Sequence, residues 1–160
     1  MMDFPAPFVS SRRTVEDAWI DLNGHLNMAY YGVLFDRTAD DVFEVFGMGP
    51  GYLERTNCST FMVEAKFTYL RELHAGDEVT STLQVLDVSD KCLHYVQELH
   101  HADERWLSAV MEALVIHIDM STRKPAPFPD DVQQSLYAIH ETHTSLPVPP
   151  QVGNKIGIRR

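Results

Sequence analysis

A short turn in the first quarter of the chain carries the side chains best suited to chemistry. It runs from Asp21 to Asn27 (DLNGHLN) and precedes an apolar segment with helical spacing. The first N–H groups of a helix, here near Asn27 and Met28, lack partners within the helix and can stabilise negative charge on a substrate oxygen. An acid at Asp21 beside such donors makes chemical sense. The alternative is a carboxylate that only caps or closes the turn.

The other polar residues near this turn each have a structural alternative. His25 either positions a substrate or holds the turn by a hydrogen bond, and both roles stay open. Asn23 and Asn27 are formers of turns and helix caps first, and ligands of water or substrate second. Glu64 is a second candidate acid if Asp21 proves dispensable. Glu64 shares a strand face with Lys66, so an ion pair is the alternative for it.

Periodicity predicts the elements that hold these residues. Residues 28–46 have helical spacing, and the first half is apolar on almost every side, so we expect it to be enclosed on most sides. A strand precedes the turn, and alternating strands follow the helix. The predicted ranges are strands at 14–20, 60–71, 78–88, 92–101 and 105–119, a helical turn at 52–55, and a helix at 130–143 that Asp130 caps.

One strand, one buried helix and a run of antiparallel strands predict an α+β fold in which a curved sheet wraps the helix. The 160 residues suit one domain, with a core at about 12–129 and a C-terminal helix and tail at 130–160.

Composition excludes several classes of partner. The net charge of −10 and the pI near 5.1 disfavour nucleic acid and anionic membranes. The chain shows no export signal and no stretch long enough to span a membrane, and Cys58 and Cys92 are expected to be free thiols, so we expect a cytoplasmic protein. The pairs His117–Asp119 and His140–His143 lack a full set of metal ligands and are expected to be solvated surface residues.

The motif from Asp21 to Asn27, with Tyr31 just inside the helix, resembles the Asp-x-x-Gly-His-x-Asn element of hotdog-fold thioesterases of the 4-hydroxybenzoyl-CoA thioesterase class. The resemblance covers roughly residues 15–129. Further matching segments are Tyr69-Leu70-Arg71, the turn at 75–78 and the end of the last long strand at 117–119.

This resemblance implies hydrolysis of an acyl-CoA without cofactor or metal. Asp21 would act as nucleophile or as base toward water, and the backbone N–H of Met28 would help to bind the thioester oxygen. The family implies a homodimer whose sheets join edge to edge, with shared active sites, and in some members a homotetramer. Arg71, Arg123 and Lys124 lie in loops where the family often binds the phosphates of CoA.

The identity of the acyl group depends on four aromatic residues, Trp19, Tyr30, Tyr31 and Trp106. They are either core residues or the wall of a cation–π cage. The segment 19–39, with Val63-Glu64 and Leu93-His94, resembles the thioesterase domain that occurs with carnitine dehydrogenases, which implies betainyl-CoA as substrate. Small aliphatic and aryl acyl groups are the alternatives.

Two rival functions remain. The first is a hotdog enoyl-CoA hydratase, whose Asp-x-Asn-Pro-x-His element differs from this motif by a proline and by one residue of spacing. The second is a hotdog module that binds an acyl-CoA or a partner protein without turnover.

Overall fold

The structure is a computed structural model that describes residues 4–160. Residues 1–3 lie outside the described residues. They belong to the N-terminal segment in which we expect no export signal. The elements are β1 (Phe8–Val9), β2 (Arg13–Thr14), α1 (Met28–Val45), α2 (Tyr52–Thr56), β3 (Cys58–Tyr69), β4 (Glu78–Val88), β5 (Cys92–His101), β6 (Leu107–Asp119), β7 (Lys124–Pro125) and α3 (Asp130–His143).

The strands form one antiparallel sheet in the order β1-β4-β5-β6-β3, with β2 also on β4 and β7 on β6. Helix α1 packs on one face of the sheet. The ring of Phe35 lies 5.9 Å from that of Phe67, and the Gln97 amide donates to the Phe35 carbonyl at 3.2 Å. The predicted arrangement of an antiparallel sheet on one long central helix is confirmed.

Helix α1 begins and ends as the sequence predicts. Asn27 accepts a hydrogen bond from the Ala29 N–H, and Gly47, which follows the helix, has a positive φ of 86° that favours glycine. The sheet side of α1 is buried. The opposite side of its first turn is open, since Met28 is 67% exposed. The expectation that this half is enclosed on most sides is therefore wrong within one chain.

The segment before the turn is not the strand predicted at 14–20. Only Arg13–Thr14 pairs with β4, and Asp17–Trp19 forms a 3₁₀ turn. The N–H groups of Trp19 and Ile20 donate to the carbonyls of Glu16 and Asp17, at 3.0 and 3.2 Å. Because these groups are satisfied locally, the segment has no need of a neighbouring strand.

A β-bulge changes the predicted faces of β3. Met62 pairs with Val115 and Glu64 pairs with Leu114, so Val63 is an extra residue without a partner on β6. Val115 belongs to the core, and Met62 opposite it therefore shares the face of the sheet that carries α1. Regular alternation along the predicted strand at 60–71 would put Met62 and Glu64 on one face, and this expectation is wrong, because one inserted residue reverses the alternation.

A second bulge, in β4, explains the two histidines of α3. The register of β4 shifts between Val85 and Asp87, which leaves backbone groups without a ladder partner. The Val85 N–H donates to His143 Nδ1 at 3.0 Å, and His140 Nε2 donates to the Leu86 carbonyl at 3.0 Å. His143 is 1% exposed, so the expectation of a solvated surface residue is wrong.

His117 is the other histidine predicted at the surface, and it is fully buried. Its Nδ1 donates to the Ala126 carbonyl at 2.9 Å, which leaves Nε2 to accept from the Tyr52 hydroxyl at 2.8 Å. Burial raises the pKa of Tyr52 to about 12.

The start of helix α3 also differs from the prediction, because Asp130 is its first residue and the preceding Pro129 occupies the cap position.

Acid is expected to destabilise the protein through His143. Burial lowers the pKa of this imidazole below its ordinary value, and the charge of His140 adds to the effect, while the bond to the Pro5 carbonyl opposes it. The pKa of His143 is lower in the folded than in the unfolded protein. The neutral imidazole therefore stabilises the fold fully above about pH 6.5, and this contribution is lost as the pH falls. Between about pH 7.5 and about pH 5.5, urea titrations should show a smaller decrease in the free energy of unfolding for His143→Gln than for the wild type. Equal decreases would contradict this role.

Candidate active site

The turn before α1 is closed by backbone hydrogen bonds. Ile20 and Leu26 form an antiparallel bridge, and between them the Asp21 N–H donates to the His25 carbonyl at 3.1 Å. The Gly24 N–H donates to the Asp21 carbonyl at 3.0 Å, and Gly24 has a φ of +80° that strains other residues. These bonds close the turn, which leads directly into the cap residue Asn27 of α1.

The Asp21 carboxylate is partly committed to this turn. Its Oδ1 accepts the N–H of Asn23 at 2.8 Å, and the side chain is half-buried. Within residues 4–160 the other oxygen, Oδ2, has no hydrogen-bond donor. Asp21 thus fills the turn-closing role with one oxygen and keeps the other free for chemistry.

The start of α1 offers one free backbone donor beside the turn. Asn27 Oδ1 accepts the N–H of Ala29 at 3.0 Å, and the Asn27 carbonyl accepts that of Tyr30 at 3.0 Å. In the described part of the chain, the N–H of Met28 meets no acceptor. This group carries the partial positive charge of the helix N-terminus, as the sequence predicts for Met28.

A cavity of about 360 Å³ opens at the helix start. The His25 Nδ1 lies 3.1 Å from the Leu26 carbonyl, which only accepts, so Nδ1 carries the proton and Nε2 keeps its lone pair. The Tyr69 hydroxyl donates to the Met28 carbonyl at 3.3 Å. Asp21 does not line the cavity within its own chain. The lining residues are His25, Leu26, Met28, Tyr31, Tyr69, Leu70, Arg71 and Glu72.

Sequence reasoning missed four of these residues, Leu26, Tyr69, Leu70 and Glu72, as parts of a site. Tyr69-Leu70-Arg71 stood out only as a matching segment, and nothing in its spacing shows that the end of β3 reaches the helix start. Tyr69 and Tyr31 meet edge to face, with ring centroids 5.0 Å apart. Tyr31 is 4% exposed, and burial raises the pKa of its hydroxyl.

The four aromatic residues predicted as a wall or a cage do not come together. Trp19 stacks on Tyr30 at 5.5 Å, with the Arg37 guanidinium 5.1 Å from the Trp19 ring. Tyr31 alone among the four lines the cavity. The cage of four is therefore wrong within one chain, because each indole already has its own partners.

Trp106 lies between two side chains of its own. It stacks on His101 at 5.0 Å, and the Arg71 guanidinium lies 4.0 Å from the centre of the Trp106 ring. The Trp106 N–H donates to Glu104 at 3.1 Å. Trp106 thus contacts Arg71 beside the cavity and is not itself among the residues that line that cavity.

Arg71 is far from the other two cations predicted to bind phosphate. Tyr69, two residues before Arg71, pairs with Ala109 at the start of β6, whereas Lys124 pairs with Asp119 at the end of β6. Ten residues of strand separate these ends, which is about 33 Å. Arg123, in the turn before Lys124, is as distant, so a single chain does not bring the three together.

Glu64 lies on the sheet face opposite α1. Its neighbour Ala65 pairs with the core residue Ala113, so Glu64 points to the outer face. It lines a polar cavity of about 440 Å³. Lys66 pairs there with Glu112 at 3.0 Å, and within residues 4–160 no ion pair joins it to Glu64.

The C-terminal tail is fastened to this outer face. Lys66 Nζ donates to the carbonyls of Gln151 and Asn154, at 2.7 and 2.8 Å, and the Gly153 N–H donates to Glu112 at 2.9 Å. His94 lies 2.9 Å from the same carboxylate. The hydrogen bonds to its neighbours, together with the charge of Lys66, lower the pKa of Glu112 in spite of its burial.

Two general properties complete the description. Residues 4–160 contain no group of three or more side chains arranged to hold a metal ion. Within the same range, no helix has both the length and the apolar character that crossing a membrane requires.

Comparison with known proteins places the chain among thioesterases. Residues 15–136 match the family described as the thioesterase-like superfamily. The chain is 31% identical, over 99% of its length, to the L-carnitine dehydrogenase/betainyl-CoA thioesterase of Rhizobium meliloti (strain 1021), of which it spans 32%. It is 30% identical to the betainyl-CoA thioesterase of Pseudomonas aeruginosa, over 88% of each chain.

A solved structure agrees with these matches. A Staphylococcus aureus protein in complex with CoA superposes with a TM-score of 0.87 at 26% identity, over 99% of this chain and 100% of the other. The chain therefore belongs to the thioesterase-like superfamily, and its antiparallel sheet on one central helix is the hotdog fold.

Proposed function

We propose that the protein hydrolyses acyl-CoA thioesters at the start of α1. The observation that carries this proposal lies at the start of α1. The turn that holds Asp21 leads through the cap residue Asn27 to Met28, whose N–H meets no acceptor in the described residues. Such a pair supplies an acid–base or nucleophilic group and a donor for the developing oxyanion. The membership in the thioesterase-like superfamily and the relatives named as thioesterases support it.

Two routes lead to the products. In one, Asp21 removes a proton from water, whose oxygen attacks the thioester carbonyl carbon; in the other, Asp21 Oδ2 attacks this carbon, and water then hydrolyses the mixed anhydride. In both, the C–S bond breaks, CoA leaves as thiolate and takes up a proton, and the acid is released. The Met28 N–H stabilises the carbonyl oxygen in the transition state.

The polar residues around Asp21 have supporting roles in this proposal. Asn23 fixes the carboxylate through its N–H, and Asn27 orders the first turn of α1. His25 lines the cavity and offers Nε2 as an acceptor toward substrate. Glu64 lies on the other face of its own sheet, and it becomes the candidate acid only if Asp21 proves dispensable.

We propose a homodimer, because a single chain leaves the site open. The carboxylate of Asp21 does not line the cavity of its own chain, and the neighbouring Met28 is exposed. In the described residues, the outer edge of the twelve-residue strand β3 is unpaired. Its centre exposes Phe61, Met62 and Val63, and a long apolar edge of this kind requires a cover. A homotetramer would pair two such dimers.

Antiparallel pairing of β3 with its copy would also explain the separated cations. A two-fold axis near the middle of β3 brings the Cys58 end of one strand beside the Tyr69 end of the other. Arg123 and Lys124 of the partner subunit would then approach Arg71 of the first chain. Such a cluster is suited to the phosphates of CoA, and each active site would be shared between two subunits.

The substrate that the relatives support is betainyl-CoA, which would give the protein a part in carnitine catabolism. Small aliphatic and aryl acyl-CoAs are the alternatives. The chain spans about a third of the fused relatives, so this assignment rests most on the Pseudomonas aeruginosa relative, of which it covers 88%. The two free thiols, Cys58 and Cys92, support a reducing compartment, and we propose the cytoplasm.

A panel of acyl-CoAs tests this proposal. Acetyl-, butanoyl-, benzoyl-, crotonyl- and betainyl-CoA are incubated with the protein, and released thiol is measured with a chromogenic reagent. We expect release of CoA, fastest from betainyl-CoA. Hydration of crotonyl-CoA without thiol release would identify a hydratase, and binding without any turnover would identify a non-catalytic module; either result overturns the proposal.

A further inference from the structure

The cavity at the helix start is mainly apolar and aromatic. Leu26, Met28 and Leu70 contribute apolar surface, and Tyr31 and Tyr69 contribute two rings at 71° to each other. Tyr31 is buried in the floor, whereas Tyr69 is 45% exposed and lies at the end of the edge strand β3. An exposed tyrosine ring in an apolar cavity can attract a cation through its π-electrons.

The negative charge at the cavity wall comes from Glu72. The other charged lining residue is Arg71, whose guanidinium is stacked on Trp106, a residue outside the lining. Among residues 4–160, the ionic neighbour of Glu72 is His74, whose Nε2 lies 3.2 Å away. Burial raises the pKa of the Tyr31 hydroxyl, and the negative charge of Glu72 raises it further. The Glu72 carboxylate therefore lies close to the cavity floor.

On the basis of the proposed hydrolysis, we infer that Tyr69 and Glu72 form the subsite that selects a cationic acyl group. A quaternary ammonium group donates no hydrogen bond, so its recognition requires aromatic surface and a nearby negative charge. The two residues supply one each at the same cavity, beside the free N–H of Met28. A neutral acyl group of equal shape would gain no electrostatic attraction from the Glu72 carboxylate.

A pair of isosteric substrates tests this inference. In betainyl-CoA a trimethylammonium group stands where 3,3-dimethylbutanoyl-CoA has a tert-butyl group, so the two differ in charge and hardly in shape. We expect Glu72→Gln to lower kcat/KM for betainyl-CoA about tenfold and to leave the neutral thioester within about twofold. Glu141→Gln, which changes an exposed glutamate on α3, should leave both values unchanged.

Two variants of Tyr69 separate the ring from its hydroxyl. Tyr69→Phe keeps the ring and loses the hydrogen bond to Met28, and it should retain the preference for the cation. Tyr69→Leu should lose about tenfold in that preference, with an unchanged thermal melt as evidence of folding. If no variant alters the ratio of the two substrates, the subsite is wrong although hydrolysis stands. If the wild type cleaves neither thioester, the proposed function itself fails.

Discussion

Replacing Asp21 with asparagine is expected to lower the rate of CoA release at least about 100-fold. Asparagine keeps a side-chain oxygen for the Asn23 N–H, which Asp21 accepts at 2.8 Å, so the turn and the helix start should persist. The substitution removes the negative charge and hence both the base and the nucleophile. The measurement is kcat with the thiol reagent on the best substrate of the panel, together with a thermal melt that reports folding.

The matched control is Asp87→Asn. Asp87 also accepts one backbone N–H, that of Val88 at 2.8 Å, but it lies at the outer cavity with Glu64. We expect this variant to keep its activity within about twofold, since it removes the same charge from strand β4, at a different cavity from the one at the helix start. If Asp21→Asn were as active as the wild type, the assignment of Asp21 would be wrong, and Glu64→Gln would be the next variant to assay.

Placing a carboxylate at Val63 is expected to separate the subunits. Val63 is the bulged residue of β3 and is 56% exposed at the unpaired edge. An unpaired charge buried in an interface costs about 2–5 kcal/mol, so the dimer of Val63→Asp should be at least about 30-fold weaker. Light scattering after size exclusion should show a monomer. Activity should fall at least about 100-fold, because the site would lose the groups of its second subunit.

Val148→Asp is the control for this experiment. Val148 is also 56% exposed, and it lies in the C-terminal tail, outside strand β3. The variant should remain dimeric and active. A dimeric Val63→Asp protein would show that β3 is not the interface, whereas an active monomer would show that the site needs no second subunit.

The sequence predicts the framework of this protein well, because periodicity over long segments reports burial directly. Helix α1 and its cap at Asn27 follow from apolar spacing and from one side chain, and both are found as predicted. The errors arise where a single residue changes the geometry. The bulge at Val63 reverses the face of Met62, and the 3₁₀ turn at 17–19 replaces a predicted strand.

The candidate site is predictable where it is local and unpredictable where it joins distant segments. Asp21 and Met28 are seven residues apart and connected by one turn, so the motif assigns both to the start of α1. Tyr69 and Glu72 reach the cavity only through the register of β3 on β6. The four aromatic residues stay apart within one chain for the same reason, since no spacing shows that Trp106 already stacks with Arg71.

The attachment of the C-terminal tail has a consequence for fusion proteins. Lys66 and Glu112 hold residues Gln151, Gly153 and Asn154 on the sheet face that points away from α1. A domain or an affinity tag joined after Arg160 would emerge from that side. The proposed site lies at the first turn of α1, which packs on the other face of the sheet.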